Sequence, residues 1–258
     1  MGNMRKTNKR IAQLGKPSLI FGWGQQKRFD LVKRNVELSG KRILDVGCGI
    51  GMYSQKFFEK GAKVFAIDID DENIKKAKEL SPEIDFLVAK AEALPFKNNS
   101  FDLIFLNEVL EHVDDDKRVI QESLRVLRPE GKIIIFAPNR FFPFETHGIY
   151  FAKKYIYGNI PFINWLPMKI RNLFCPHVRI YTTKTLKRLF DNQKVSFEKN
   201  DFVWPAFDKI ERKNPFLGKT LKKIANLAEK NRFLKKFGIS IFMIVKKKPP
   251  SLRKFLIN

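Results

Sequence analysis

The chain has 258 residues, enough to bury a full α/β core and carry an elaboration. Its two cysteines, Cys48 and Cys175, make neither a metal-binding spacing nor a disulfide framework, and no run of 18 apolar residues is present to span a bilayer as a helix. Lys and Arg outnumber Asp and Glu by 50 to 27, and residues 140–258 hold 26 of those cations but only 7 of the acids, which points to an anionic partner as well as to simple solubility.

Residues 1–16 are polar and basic, with no apolar segment behind them of the kind a signal peptide carries. A disordered arm on a reduced, cytoplasmic protein is expected. Between Phe21 and Ser39, Phe29, Val32 and Val36 recur at helical spacing, a lead-in helix for the sheet. Ile43, Leu44 and Val46 then form a short apolar run that ends, through Asp45, in three alternating glycines, Gly47, Gly49 and Gly51. This reads as a buried parallel strand emptying into a tight loop, with a helix starting near Met52. The glycines are expected to let a ligand approach the backbone, where a Cβ at Gly47 or Gly49 would block it. Lys63–Asp68 is a second strand, also closed by a carboxylate. In a doubly wound sheet, Asp68 would lie beside the first loop and accept both hydroxyls of a ribose. A dinucleotide fingerprint does not fit, because its last glycine position falls on Met52 or Ser54.

Asp71 and Glu72 open a helix that runs to about Leu80 and is stopped by Pro82. Strands follow at Ile84–Ala89, Ser100–Asn107 and Lys132–Ala137. A helix from about Asp115 to Leu127 and a turn at Arg128–Gly131 connect the last two. Strand, loop and helix in repetition give the doubly wound pattern. From Pro138 the pattern breaks. Residues 141–180 are rich in aromatics interleaved with Lys, Arg and Pro, too irregular for a sheet strand and too aromatic for a linker. Tyr181–Asn192 reads as a helix with Thr183 as N-cap, and Val195–Phe197 and Ile239–Val245 as the last two strands. Between those strands Leu221, Ile224, Leu227, Leu234 and Phe237 recur at helical spacing against lysines, an amphipathic basic helix.

Asp45-x-Gly47-x-Gly49-x-Gly51 resembles motif I of the class I S-adenosylmethionine (SAM) dependent methyltransferases, and Asp68 sits where their ribose-binding acid sits. Lys90-Ala91-Glu92-Ala93-Leu94-Pro95-Phe96 resembles the segment after the third strand in type 11 methyltransferases. The position before the alanine usually carries an acid for the adenine amino group. Here it is Lys90, which cannot accept a hydrogen bond, so adenine contact would fall to the Ala91 backbone and to Glu92. The resemblance covers residues 40–140. It implies an α/β, Rossmann-like doubly wound sheet of seven strands, the last antiparallel, with a cap inserted after strand five. The implied division is 1–39 arm and lead-in helix, 40–140 SAM-binding core, 141–180 cap over the acceptor, 181–248 the rest of the fold, and 249–258 a tail. The implied cofactor is SAM. Its expected contacts from the loop are Asp45, Gly47, Gly49 and Gly51, and from the second strand's end Asp68 and Ile69. Ala91, Glu92 and Asn107 would complete them. Arg28 is either the basic partner of the methionine carboxylate or part of a solvated helix face.

Methyl transfer needs alignment of acceptor, methyl and sulfur, and a base if the acceptor is a hydroxyl. With three histidines in the chain, His112 and His147 are the catalytic candidates and His177, beside Pro176, reads as structural. Glu108-x-x-Glu111-His112 resembles a segment of the ubiquinone-biosynthesis O-methyltransferases, where two glutamates and a histidine can hold a divalent metal. The same Glu-His pair occurs in type 11 members that use none, and no metal is expected here. The favoured acceptor is a small lipophilic or isoprenoid-type hydroxyl, met at an anionic membrane surface by peripheral contact. The alternatives are an RNA methyltransferase and a non-catalytic SAM-binding protein. The segment Asn107-Glu108-Val109-Leu110 lacks the Pro-Pro-aromatic motif of enzymes that methylate base nitrogens.

Overall fold

The computed structural model describes residues 21–250, Lys153 excepted. The expected arm at 1–16 and most of the tail at 249–258 lie outside the described residues.

The chain runs α1 (Trp23–Asn35), β1 (Arg42–Val46), α2 (Met52–Phe58), β2 (Lys63–Asp68), α3 (Asp71–Leu80), β3 (Asp85–Val88), β4 (Phe101–Asn107), α4 (Asp116–Val126) and β5 (Leu127–Pro138). Four short strands follow, β6 (Phe144–Glu145), β7 (Ile149–Phe151), β8 (Lys154–Ile156) and β9 (Ile160–Pro161). The chain continues through α5 (Met168–Phe174), α6 (Thr183–Arg188), β10 (Val195–Val203), α7 (Asp208–Lys213), α8 (Pro215–Lys230), a 3-10 turn at Leu234–Phe237, and β11 (Ser240–Lys247).

Seven strands form one sheet in the order β3-β2-β1-β4-β5-β11-β10. β1 pairs in parallel with β2 and β4, and β11 is antiparallel to both its neighbours. The expected seven-stranded, doubly wound sheet with a reversed last strand is therefore the fold. Alternation along the strands feeds two cores. Leu44, Ile104, Ile133 and Met243 face α4 and α6, while Ile43, Phe105, Ile134 and Phe242 face α1, α2 and α3. Both sheet faces are covered, so the strands are continuously apolar, which is why they were legible.

Several boundaries differ from the sequence reading. The supposed turn at Arg128–Gly131 sits inside β5, whose pairing with β4 jumps from Leu127 to Lys132. Residues 141–180 do contain strands, paired β6 with β9 and β7 with β8 in two small antiparallel ribbons too short to show periodicity. Thr182, not Thr183, caps α6, its hydroxyl accepting from Thr185 N–H. The helix expected around Leu221–Phe237 ends at Lys230, where the Asn231 side chain accepts from Phe233 and Leu234 N–H and starts a new turn. Its packing is also inverted. α8 buries the small residues Gly218, Ala225 and Ala228 and leaves Ile224 and Leu227 exposed.

The inversion has a cause, since α8 lies so close to α7 that a Cβ on Gly218 would run into the Glu211 backbone. Gly218→Ala should therefore force the two helices apart at a cost of about 1–3 kcal/mol, read as a lower urea midpoint. An unchanged midpoint would show that the helix pair has slack.

Candidate cofactor and acceptor site

The carboxyl ends of β1, β2 and β4 open into one cleft of about 2000 Å³, floored by the glycine loop and roofed by residues of the 141–180 segment. β1 delivers the chain into the loop, where Gly47 and Cys48 N–H both donate to Ile67 carbonyl at 2.8 and 2.9 Å. Gly47 and Gly51 have φ of 71° and 81°, the left-handed region. Their missing side chains serve the protein's own packing. A Cβ would meet Val109 at 2.6 Å from Gly47 and the Phe86 ring at 2.7 Å from Gly51. Close packing against Val109 is thus a reason for glycine at Gly47 beside the expected approach of a ligand.

Asp68 reaches the loop as its position suggested. Its Oδ2 accepts from Gly49 N–H at 2.8 Å and its Oδ1 from Asp70 N–H at 2.9 Å, which fixes the carboxylate while leaving each oxygen a free lone pair. Ile69 next to it is 61% exposed and lines the cleft, an apolar platform of the kind a base ring stacks on. These features fit a ribose and adenine. Asp45 lies buried beneath the loop and accepts from Ser54 Oγ at 2.6 Å. Burial pushes its carboxyl up to about 7; the Ser54 hydrogen bond opposes the shift and the Asp68 charge adds to it. The segment after β3 is pinned from behind. Glu122 accepts from Leu94 N–H, and Arg125 donates to the Leu94 and Phe96 carbonyls. Glu92 spends one carboxylate oxygen on Asp114 N–H at 2.9 Å, so it supports the rim, and Ala91 lines the cleft beside Lys90.

Arg28 is not part of a solvated face. Its guanidinium is buried in the cleft floor, donating to Asn107 Oδ1 at 2.7 Å and Ser240 Oγ at 2.6 Å, with Glu108 Oε1 at 2.7 Å. It joins α1 to the ends of β4 and β11. Glu108 follows β4 at a φ of 55°, uncommon for a residue with a Cβ, and also accepts from Ser240 Oγ. Burial would raise its pKa, but Arg28 and Ser240 outweigh that and hold it below the usual range. Glu111 behaves oppositely. Both its oxygens are buried without a hydrogen-bond partner, and burial beside the Glu108 charge raises it well above the carboxylate range.

The roof is organised by residues that the sequence reading did not single out. Glu145 and Arg171 are both fully buried and form an ion pair at 2.6 Å. Arg171 also donates to Asn164 Oδ1 and to Val178 carbonyl. The other oxygen of Glu145 accepts from His147 N–H at 2.9 Å and faces His147 Nδ1 at 3.0 Å. Burial alone would raise Glu145, yet the His147 hydrogen bond and the Arg171 charge bring it down to about 2. His147 and His112 meet edge to face, centroids 5.4 Å apart. His112 is open to the cleft on one side, and desolvation with the His147 charge lowers it to about 4. His177 lies behind, against His147 carbonyl and between Tyr150 and Tyr155. Among the described residues, the group able to meet a metal ion is Glu111, His112 and His147, within 4.8 Å of one another. It differs from the Glu108, Glu111 and His112 set of the resembled segment by a roof histidine in place of Glu108, which is committed to Arg28. Glu145 could have been noticed two residues before His147. Arg171 carried no such signal.

The sheet order is that of the class I SAM-dependent methyltransferase fold, and the loop and its paired acid stand at the carboxyl edge where that fold takes its cofactor. Residues 44–135 match the family described as a methyltransferase domain. The chain is similar to a demethylmenaquinone methyltransferase of Renibacterium salmoninarum, 35% identical over 131 residues, which are 49% of this chain and 55% of that one. It is also similar to a ubiquinone biosynthesis O-methyltransferase of Xanthomonas oryzae, 39% identical over 118 residues, 44% of this chain and 49% of that one. The chain spans about half the length of the curated relatives it matches. The crystal structure of an S-adenosylmethionine dependent methyltransferase from Mesorhizobium loti shares the fold, with a TM-score of 0.59 at 19% identity, covering 84% of this chain and 96% of that one.

The buried ion pair makes the roof sensitive to acid. A depressed carboxylate contributes stability that is complete above its ordinary pKa and lost as pH falls through the folded value, here from about 4.5 down to about 2. Glu145→Gln should flatten that limb in thermal melts followed by circular dichroism. Arg171→Met, which leaves Glu145 buried alone, should cost about 3–5 kcal/mol at neutral pH.

Proposed function

We propose that this chain transfers a methyl group from SAM to a hydroxyl on a small, lipophilic acceptor of the quinone or isoprenoid type. The observation that carries the reading is the single cleft that runs from Asp68 and the glycine loop to His147 under the roof. The two curated relatives, named for demethylmenaquinone and ubiquinone biosynthesis, support that acceptor class. No described helix is long and apolar enough to cross a membrane, and peripheral contact with an anionic membrane would give access to such an acceptor.

SAM supplies the chemical activation, a methyl group on a sulfonium. The chain's own tasks are to hold, align and deprotonate. Asp68 would accept the ribose hydroxyls on its free lone pairs, with Ile69 and Ala91 on either side of the adenine. Arg28 keeps its Nε–H and one Nη1–H free of the contacts described above, available to the methionine carboxylate beside Asn107. In the cap, residues 141–180, Glu145 Oε1 lies 3.0 Å from His147 Nδ1 and would select the neutral tautomer with its hydrogen on Nδ1 and its lone pair on Nε2. That nitrogen would take the acceptor's proton as its oxygen bonds to the methyl carbon, the methyl–sulfur bond breaks and S-adenosylhomocysteine leaves. His112, kept neutral by its surroundings, would position the acceptor from below.

Asp68→Ala removes two hydrogen bonds to the ribose, each worth about 1.5–3 kcal/mol, and should weaken SAM binding at least tenfold by calorimetry. Equal affinity in that variant would remove the cofactor assignment. His147→Ala should bind SAM normally and lose about 10²–10⁴-fold in tritiated-methyl transfer from SAM into a lipid extract. Transfer into RNA instead would overturn the acceptor class. Turnover should survive EDTA; rescue of an EDTA-silenced enzyme by magnesium would promote Glu111, His112 and His147 to ligands.

A further inference from the structure

We propose that the mouth of the cleft is a docking surface for an anionic lipid bilayer, seated through Phe162, Trp165, Phe233 and Leu234. These four side chains are 59%, 46%, 65% and 44% exposed. They are not scattered. Ring contacts run from Phe162 to Trp165 at 5.2 Å, from Trp165 to Phe237 at 6.5 Å, and from Phe237 to Phe233 at 5.6 Å. The path joins the roof to the turn after α8, so one apolar patch is built from two distant parts of the chain. Trp165, Leu234 and Phe237 also line the cleft. An apolar acceptor leaving a bilayer at this patch would reach the cleft without crossing water.

The charge around the patch selects the partner. Lys230, Arg232, Lys235 and Lys236 lie within seven residues that contain no acid. Lys235 is paired with Asp201 at 2.9 Å, while Lys230, Arg232 and Lys236 are exposed and have no ion-pair partner among the described residues. Trp165 donates its indole N–H to Phe141 carbonyl at 3.1 Å, which satisfies its polar edge and leaves the ring face apolar. Exposed aromatics beside unpaired cations match the two layers of a membrane interface, acyl boundary and anionic headgroup. A protein partner of ordinary composition would need matching acids against three separate unpaired cations and would cover the route into the cleft. The inverted packing of α8, with Phe216, Ile224 and Leu227 exposed, extends apolar surface through the preceding helix.

The inference rests on the lipophilic-acceptor reading for its purpose, but attachment itself requires neither acceptor nor SAM. The test is co-sedimentation of the full chain with vesicles of phosphatidylcholine alone and of phosphatidylcholine mixed with phosphatidylglycerol. Binding is expected to the mixed vesicles at low salt, fading as salt shortens the screening length. Phe233→Ser/Leu234→Ser should lower that binding about tenfold or more, and Arg232→Glu/Lys236→Glu should abolish its preference for the anionic lipid. A charge-reversed pair on α3, Lys76→Glu/Lys78→Glu, should retain it. SAM calorimetry on every variant reports folding and separates the two readings. Vesicle binding without SAM affinity would fail the methyltransferase assignment and leave docking standing. No binding to anionic vesicles, equal binding to both lipids, or full binding by the Phe233/Leu234 variant overturns docking at this mouth. Binding of a polyuridine RNA that the vesicles do not compete would overturn it in favour of nucleic acid.

Discussion

The roof of the cleft depends on one buried ion pair, Glu145 with Arg171. Neither side chain reaches water, so their mutual attraction and their remaining hydrogen bonds must offset a large desolvation cost. The structure meets that demand by tying in Asn164, Val178 and His147. The short β6–β9 ribbon, which could not persist alone, is thereby fixed to α5. The same carboxylate that anchors the roof also orients His147. Stability of the segment and placement of its candidate base are therefore one property, not two.

Below the roof, a second polar junction does comparable work on the core. Arg28 meets Asn107, Glu108 and Ser240, so α1, β4 and β11 converge on a single guanidinium at the carboxyl edge of the sheet. This is the place where a doubly wound sheet presents its loops to a ligand. Charge is apportioned unevenly there. Arg28 and Ser240 hold Glu108 below the usual carboxylate range while burial beside the Glu108 charge raises Glu111, so carboxyls three residues apart are shifted in opposite directions.

The core was legible because its signals are local and strong. Parallel strands covered on both faces read as apolar runs, and Asp68 announced itself by closing one of them beside the glycine loop. Part of the loop's logic was hidden, since Val109 and Phe86 press on Gly47 and Gly51 from far along the chain. Arg28 was noticed, but its partners Asn107, Glu108 and Ser240 come from strands far along the chain, so its burial could not be read from the helix. The roof was opaque for a different reason. Arg171 meets Glu145 from 26 positions along the chain, and strands of two or three residues have no period to detect. For α8 the amphipathic pattern was correct and its orientation was not, because close helix packing at Gly218 selected the small residues for burial over the large ones.

The reversed strand has a consequence for how the molecule is assembled. β10 precedes β11 in the chain but lies outside it, so β11 must enter between β10 and β5 as an interior member of the sheet. During synthesis, β5 is complete about a hundred residues before the strand that covers its open edge. That edge carries Ile133, Ile134, Ile135 and Phe136, an apolar, β-branched stretch with unpaired backbone groups. The nascent chain would expose it while the whole cap and both basic helices emerge. Closing the sheet across so long a separation is slow, and the lysine-rich segment that separates the two strands keeps like charge around the vulnerable edge in the interval.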